Sequence, residues 1–587
     1  MSKGVRIAVI DRDKCKPRDC LACMKHCPLN LTGTEVIIVE AETGFPLINE
    51  NLCSGCGICV RVCPRKAIKI INLPHEIEGA LVHRYGQNGF KLYRFPALQE
   101  KGTVGILGQN GIGKSTILKI LAGKITPNLG MEHATWDDVM HLFRGSTIHG
   151  IFRRLKEKNL NVVLKPQNVS DLPKVVTGSV RDILYRLNQD KDNINILAEK
   201  LDLVAFLDTD ISSLSGGELQ RVAIAVALSR KADLYLFDEP SSYLDIKQRM
   251  KVAQVIRELG ERASVVVVEH DLVMLDIMAD YIHLVYGEPG AYGVVSQPMG
   301  IREGINTYIR GYIKSENVRF RPEHIKFDYG VQTSDTKVTM LSYPAMKKKL
   351  GEFSLSVEPG DIKLNEIVGV IGPNGIGKTT FIKMLAGIIK PDNVDLQYKI
   401  RVSHKPQYLN QDIDATAGML LMRKPLFNSP VFRSFIYEAL ELEPLLEKQI
   451  NELSGGELQR VAIAEALSEE ADLYLLDEPS AYLDVEQRYS LVRALRAYVG
   501  SMQCAAVVVE HDIMVLDAIS SRVMLFTGVP GKEGHSSSPV ERKDGINEFL
   551  KTVGVTFRKD PDIGRPRVNK PGSRLDKEQK AQGIYYY

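Results

Sequence analysis

No stretch of this 587-residue chain is apolar for long enough to cross a bilayer; the longest, such as Val222–Leu228 and Ser264–Val268, fall far short of the roughly 20 residues a membrane helix needs. Met1–Val9 lacks the long apolar core of a secretory signal. A dominant charge is missing too: 75 Lys and Arg against 72 Asp and Glu leave +3, which says little about partners. Cysteine is scarce outside one region, with eight of nine between Cys15 and Cys63 and Cys504 alone. Collagen-like, disordered and disulfide-scaffold classes are excluded by an ordinary composition, 44% hydrophobic and 25% charged. The expectation is a cytoplasmic protein without a membrane domain, with room for roughly four domains at about 150 residues each.

A reducing cytosol disfavours disulfides, so clustered cysteines there point to metal. Cys53-x2-Cys56-x2-Cys59-x3-Cys63-Pro64 is the run that ligates [4Fe–4S] clusters in bacterial ferredoxins. Cys15-x4-Cys20-x2-Cys23-x3-Cys27-Pro28 repeats it with two extra residues after the first cysteine. Short loops wrap three thiolates around one face of a cubane, and in two-cluster ferredoxins the fourth cysteine serves the other cluster. By that rule Cys53, Cys56, Cys59 and Cys27 hold one cluster, and Cys15, Cys20, Cys23 and Cys63 the other. Paired structural zinc sites compete, but the triple-cysteine loops and Cys-Pro endings favour iron–sulfur. His26 is left as a solvated neighbour. Val5–Ile10, Val36–Val39 and Ala67–Ile71 read as short strands of a small ferredoxin-like sheet.

A phosphate-binding P-loop occurs twice, as Gly108-Gln-Asn110-Gly111-Ile-Gly113-Lys114-Ser115-Thr116 and Gly372-Pro-Asn374-Gly375-Ile-Gly377-Lys378-Thr379-Thr380. Each follows an apolar strand-like run and precedes a helical pattern, the context the motif requires. Backbone N–H groups close around phosphate, the lysine offsets its charge, and Ser115 or Thr379 offers a magnesium ligand. Leu214–Ala225 recurs without change as Leu453–Ala464, and Ala232–Asp245 recurs as Ala471–Asp484 with two substitutions. Val-Val-Val-Glu-His-Asp ends at Asp271 and again at Asp512. This is a tandem duplication.

The repeated Leu-Ser-Gly-Gly-Glu-Leu-Gln-Arg resembles the signature of ATP-binding-cassette (ABC) proteins. That resemblance implies Walker B aspartates Asp238 and Asp477 beside magnesium, and catalytic glutamates Glu239 and Glu478. It also implies switch histidines His270 and His511, and Q-loop glutamines Gln167 and Gln407 as further magnesium ligands. In such proteins one cassette's signature covers the other's nucleotide. Ser454, Gly455, Gly456 and Glu457 would then face the first P-loop, and Ser215, Gly216, Gly217 and Glu218 the second. Tyr85 and Phe90 are the stronger candidates to stack on adenine, Tyr343 and Phe353 the weaker.

The copies differ between P-loop and Q-loop, where the first carries about 24 extra residues near 131–160. Their apolar spacing predicts a helix–loop–helix whose second half displays Arg153, Arg154, Lys156 and Lys158. Gly304-Ile-Asn306 and Val318–Arg321 recur as Gly545-Ile-Asn547 and Val555–Arg558 in Gly/Pro-rich segments read as hinges. The basic tail Arg558–Tyr587 is expected to run extended across the protein or onto RNA.

Taken whole, the chain resembles the E subfamily of ABC proteins, the RNase L inhibitor homologues. The expected fold is multidomain α/β: a ferredoxin-like domain with two [4Fe–4S] clusters at 1–75, a first cassette at 76–286, a hinge at 287–328, a second cassette at 329–524, and a second hinge with tail at 525–587. The resemblance implies an ATP hydrolase using ATP and magnesium that splits ribosomes into subunits with a release factor or Pelota-like rescue factor. It implies residence on the small subunit and its ribosomal RNA, contact with initiation factors, and a monomer with an intramolecular cassette pair. A redox-coupled ABC ATPase, or one serving DNA repair or energising a transporter, would use the same parts.

Overall fold

The computed structural model describes residues 6–16, 20–72, 81–187, 190–325, 338–396, 399–407 and 411–587. The boundaries expected at 75–76 and 328–329 lie outside these residues. At the N-terminus, strand Arg6–Ile10 pairs antiparallel with Ile68–Asn72, and Ile37–Val39 pairs with Pro46–Ile48. Period-two alternation divides the first strand's work. Ala8 and Ile10 join the cysteine-rich core with Ile37, Ile48 and Ile68, whereas Ile7 and Val9 are buried in the core that includes Tyr93 of the next unit. The small domain is thus bound to its neighbour through an apolar face.

Each cassette is built on a nine-stranded sheet. In the first, parallel strands run in the order Val162–Lys165, Leu234–Asp238, Ser264–Val268, Gly102–Gly108, Tyr281–Glu288. Val402–Lys405, Leu473–Asp477, Ala505–Val509, Ile367–Ile371 and Arg522–Val529 repeat that order in the second. Near-continuous Val, Ile and Leu suit strands covered on both faces. The P-loop leaves the carboxyl end of a central strand, where ligands bind in open α/β sheets.

Residues 131–160 contain helices Trp136–Leu142 and His149–Lys156, the first opened by a Thr135–Asp138 capping box. Phe152 is fully buried and meets the rings of Phe95, Trp136 and Phe143. The insert is thereby packed into the core of the first cassette.

Both segments read as hinges are folded onto the cassettes. Tyr292–Val295 and Met299–Gly300 belong to the first sheet, and Glu533–Ser536 and Val540–Glu541 pair with the second cassette's Arg522–Val529 strand. The glycines that suggested a loop turn a hairpin: Gly287 has φ 142° and Gly290 φ 74°. Gly304 lies inside helix Ile301–Arg310, where a Cβ would come within 2.4 Å of Ile282. Close helix–sheet packing requires that glycine.

The tail is corrected. It folds as an antiparallel pair, Phe557–Lys559 with Pro566–Val568, followed by helix Arg574–Gln582. Arg565 is wholly buried, bonded to Asn306 Oδ1 (3.2 Å) and Asp276 Oδ2 (3.3 Å), and Arg567 forks onto both Asp276 oxygens at 2.8 Å. Asp276 of the first cassette takes up charge that composition suggested for RNA.

Candidate functional site

The first site begins at the turn into helix Lys114–Leu121, which Gly113 enters at φ 100°. A Cβ on Gly113 would lie 2.6 Å from the Phe90 ring, so Phe90 packs directly on the P-loop. Tyr85 is half exposed with its hydroxyl 3.2 Å from Thr116 Oγ1. A cleft of about 1110 Å³ gathers Tyr85, Phe90, Asn110, Gly111, Gly113, Lys114, Ser115, Thr116, Gln167, Asp238 and Glu239 from the first cassette. Ser454, Gly455, Gly456 and Glu457 of the second cassette line the same cleft. The signature serine caps its helix, Ser454 accepting from Glu457 N–H while the Glu457 carboxylate accepts from Ser454 N–H. Ser215 and Glu218 do the same at helix Gly216–Ser229.

The cassettes face each other head to tail. Asn110 N–H donates to Asp484 Oδ2 and Asn374 N–H to Asp245 Oδ2, both at 3.0 Å. Tyr243 and Tyr482 meet edge to face, centroids 6.0 Å apart. Each tyrosine also packs on its own signature: a Cβ on Gly217 would lie 2.9 Å from Tyr243 O, and one on Gly456 3.0 Å from Tyr482 O. At the second P-loop, Gly377 has φ 94° and its Cβ would meet the Phe353 ring at 3.0 Å, the position Phe90 occupies in the first. Tyr343, by contrast, is buried in the core with its hydroxyl on Met524 Sδ. It is removed from the adenine candidates.

Both glutamates sit where φ is unfavourable for a side-chain-bearing residue, Glu239 at 46° and Glu478 at 48°. Such a conformation costs on the order of 1–3 kcal/mol and persists only where the surroundings enforce it. Here Glu239 N–H is held by Val268 O (2.9 Å), and the Glu239 carbonyl accepts from Gln220 Nε2 (2.8 Å) and Lys165 Nζ (3.2 Å). Gln459 and Val509 hold Glu478 in the same way. Burial pushes Lys165 and Lys405 down to about 8. Motif reasoning misses these lysines and the signature glutamines. A signal for the lysines is present, since one stands two residues before the Q-loop glutamine, in Lys-Pro-Gln, in both copies.

Gln167 and Gln407 each donate Nε2 to the neighbouring glutamate at 2.7 Å. Thr379 Oγ1 donates to Asp477 Oδ2 at 2.7 Å. His511 Nε2 is 3.1 Å from Glu478 Oε1, but His270 Nε2 is 3.7 Å from Glu239 Oε1. Burial first, then Lys114 and Arg488, holds His270 well below the ordinary histidine range, so its ring is neutral. Burial would raise Glu478, but His511, Lys378 and Gln407 outweigh it and hold the carboxyl down to about 2. Asp238 moves the other way, raised to about 6 by burial and by Glu239. A buried acidic group of this kind suits a cation.

The cysteines separate into two groups. Cys27, Cys53, Cys56 and Cys59 line one small cavity with Val36, Ile37, Ile48 and Ile70. Cys15, Cys20 and Cys63 act electrostatically on Cys23. Backbone donors reach two sulfurs, Gly55 N–H to Cys53 Sγ (3.4 Å) and Ala67 N–H to Cys63 Sγ (3.3 Å). Burial pushes the Cys23 and Cys59 thiols up to about 11. Thiolates in such an apolar setting need cationic partners, and soft sulfur donors with N–H support fit iron–sulfur clusters. His26 Nδ1 is occupied by Ala22 O at 2.9 Å.

Comparison with known proteins agrees with this geometry. The ABC transporter family model matches residues 97–242 and 355–481, and the 4Fe-4S binding domain model matches 46–69. The molecule is therefore an ABC-type ATPase carrying an iron–sulfur domain, and among the described residues no helix is long and apolar enough to cross a membrane. Yeast (Saccharomyces cerevisiae) translation initiation factor RLI1 is 43% identical over 100% of this chain and 98% of its own length. The ABC transporter E family member 1 of Arabidopsis thaliana is 44% identical over 99% and 98%. A structure described as ribosome-bound archaeal Pelota and ABCE1 superposes with TM-score 0.95 at 48% identity, covering both chains fully. Another, of archaeal ribosomal stalk protein aP1 with the recycling factor aABCE1, gives TM-score 0.82 at 50% identity over 87% of this chain and 99% of the other. The chain belongs to the RLI1/ABCE1 family, the E family of ABC proteins.

Proposed function

We propose that this protein is an ATP-driven ribosome recycling factor of the cytoplasm. It splits ribosomes into subunits together with a release factor or Pelota-like rescue factor and stays on the small subunit. The observation that carries the reading is the mechanical path from the nucleotide cleft to the ferredoxin-like domain. The Tyr85–Phe90 loop packs on the P-loop at one end. In its middle, Asn88 accepts from Ile48 N–H (2.8 Å) and donates to Ala8 O (3.1 Å) and Ile48 O (3.0 Å). Lys91 pairs with Glu50, and Lys69 reaches Glu288 at 2.7 Å. A change in cleft closure is thereby delivered to the small domain as a rigid displacement. Related structures described with Pelota on the ribosome and with a ribosomal stalk protein support that destination.

In each site the P-loop and its lysine would hold the phosphates, and Ser115 or Thr379, the Q-loop glutamine and Asp238 or Asp477 would hold magnesium. Glu239 or Glu478 orients the attacking water, the switch histidine stands beside the γ-phosphate, and the opposite signature helix presents its N-terminus. ATP must bind the closed form more tightly than the open one to drive closure; hydrolysis resets it. Cys53, Cys56, Cys59 and Cys27 hold one [4Fe–4S] cluster, and Cys15, Cys20, Cys23 and Cys63 the other. When bound, the clusters would cross-link the cysteine loops around that small apolar core.

The test is ribosome sedimentation with anaerobically reconstituted protein, ATP and a Pelota-like or release factor. Splitting by the wild type, with Glu239→Gln/Glu478→Gln retained on the small subunit, is expected. Intact ribosomes and no co-sedimentation from protein carrying full clusters would move the assignment to a redox-coupled ATPase.

A further inference from the structure

A lysine ends the outermost parallel strand of each cassette with its side chain buried. Strands Val162–Lys165 and Val402–Lys405 stand at the end of the strand order and pair on one side only. Burial alternates along them, so that Lys165 shares the more buried face with Val163, and Lys405 with Ser403. Both lysines are only 1% exposed. An ammonium in that position is costly unless it is paired and hydrogen-bonded. Pro166 and Pro406 follow the two lysines, hold them in extended backbone and end the ladder.

Both amines are directed at backbone carbonyls at the end of the adjacent strand. Lys165 Nζ donates to Asp238 O at 2.9 Å and to Glu239 O at 3.2 Å. Lys405 Nζ donates to Asp477 O at 2.8 Å and approaches Glu478 O at 3.5 Å. Asp238, Glu239 and Glu269 surround the first ammonium with negative charge, and Asp477, Glu478 and Glu510 the second. The choice of carbonyls is what matters. Planar peptides leave φ and ψ as a residue's only soft backbone angles, so its conformation is set by the two peptide planes that flank it. The Asp238 carbonyl belongs to the plane before Glu239 and the Glu239 carbonyl to the plane after. One amine therefore grips both planes around the residue whose φ is 46°, and its counterpart does the same around Glu478 at 48°. Two positions further on, Gln167 and Gln407 hold the carboxylates of the same glutamates at 2.7 Å. Each Lys-Pro-Gln thus meets its glutamate at the backbone and at the side-chain tip.

We propose that Lys165 and Lys405 are positioning residues that hold Glu239 and Glu478 in their left-handed conformation and so aim each carboxylate at its own nucleotide. The inference rests on the reading of the two nucleotide sites given above. Lysine suits the task because its compact head carries three donors and can serve two carbonyls from one atom. An apolar side chain of similar length would take a donor from both carbonyls at once and let the peptide relax, turning the carboxylate away from the attacking water.

The experiment uses the full chain with reconstituted clusters and measures phosphate release in two backgrounds. Glu478→Gln leaves the first site to turn over, and Glu239→Gln leaves the second. Lys165→Met is expected to lower kcat roughly tenfold in the first background, with KM for ATP within about twofold, because a misplaced catalytic group costs turnover more than binding. In the second background kcat stays within about twofold, since the glutamate that Lys165 positions is already disabled. Lys405→Met gives the opposite pattern. In nucleotide-free Lys165→Met, hydrogen exchange is expected to quicken at residues 238–242 while 162–165 and 264–268 stay protected. Lys165→Gln keeps a donor on a side chain one atom shorter, and is expected to fall roughly threefold in the first background only. The glutamine variant decides the matter should the methionine variant fail to fold, and failure of both makes the lysine a core support and overturns the proposal. Equal losses in both backgrounds, unchanged kcat in either, or exchange quickened throughout the sheet overturn it as well, while leaving the nucleotide sites standing. Turnover surviving in Glu239→Gln/Glu478→Gln overturns the site reading and the proposal with it.

Discussion

The two cassettes share nearly every motif residue and the same strand order, yet they are attached to the rest of the molecule differently. In the first, the connection Tyr85–Phe90 is long enough to carry Asn88 into the ferredoxin-like domain. In the second, Gly351 and Glu352 alone join the matching strands, and no aromatic stands where Tyr85 does. The segments read as hinges differ likewise. Asn306 of the first is occupied by Arg565 and Asp560, with Arg567 on Asp276 of the preceding cassette helix, whereas Asn547 Oδ1 of the second accepts from Tyr585 and Tyr586 N–H at 2.7 and 3.0 Å. The motif residues are therefore duplicated while their attachments to the rest of the molecule are not. A tandem repeat can diverge in what it moves without altering what it hydrolyses.

The sharpest way to separate the two halves is through turnover. Glu239→Gln/Glu478→Gln is expected to lose roughly 10²–10⁴-fold in kcat, the range general acid–base groups supply, measured as phosphate release. The single variants then compare the sites, and the closer His511–Glu478 contact leads us to expect unequal residual rates. Equal rates would erase the catalytic part of the difference.

Stability should divide the helices that follow the switch histidines next. Asp276→Ala strands a fully buried Arg565 and most of Arg567, a loss on the order of 3–5 kcal/mol for a broken buried pair. Asp517→Ala on the second cassette faces Arg542, about a third exposed, so after solvent screening about 1 kcal/mol is expected. Denaturant unfolding of both variants, followed at the first transition, checks the ranking.

A smaller effect is expected from Asn88→Ala, which removes three buried hydrogen bonds between the first cassette and the ferredoxin-like domain. At about 1–3 kcal/mol for buried groups left unsatisfied, hydrogen exchange should accelerate at residues 6–10 and 46–48, while the second cassette stays protected. Protection unchanged at both strands would mean that the apolar face of Ile7 and Val9 alone holds the domain.

The smallest effect concerns the insert found only in the first cassette. Arg154 is already paired with Asp233 (2.8 Å) and Lys156 with Asp137 (2.6 Å), leaving Arg153 and Lys158 as the better candidates for phosphate. Arg153→Glu/Lys158→Glu is expected to weaken small-subunit association and to flatten its salt dependence by roughly 0.7–0.9 in log–log slope for each phosphate no longer neutralised. Arg154→Glu/Lys156→Glu should do less. An identical salt series for all variants removes the insert from the RNA-binding surface.

Much of the site was legible because its chemistry is local in sequence. A P-loop, an eight-residue signature and a Cys-x2-Cys-x2-Cys loop each act through backbone and side chains a few positions apart, so spacing alone carries them. The failures were of another kind. Gly287 and Gly304 looked like loop residues, but one turns a hairpin and the other lets a helix approach Ile282. The C-terminal arginines looked available to RNA, yet Asp276, nearly three hundred residues away, holds them. Tyr343 looked like a ring near a nucleotide and proved to be core.

The sequence by itself determined the duplication, both P-loops, the signatures and the cysteine framework, since each is written in contiguous residues whose geometry follows from short-range sterics. Only the tertiary structure decided which carboxylate meets which arginine, which aromatic lies on a P-loop, and how Asn110 and Asn374 reach across to Asp484 and Asp245. Those contacts join residues tens to hundreds of positions apart. Their energies depend on burial and orientation that no local spacing encodes.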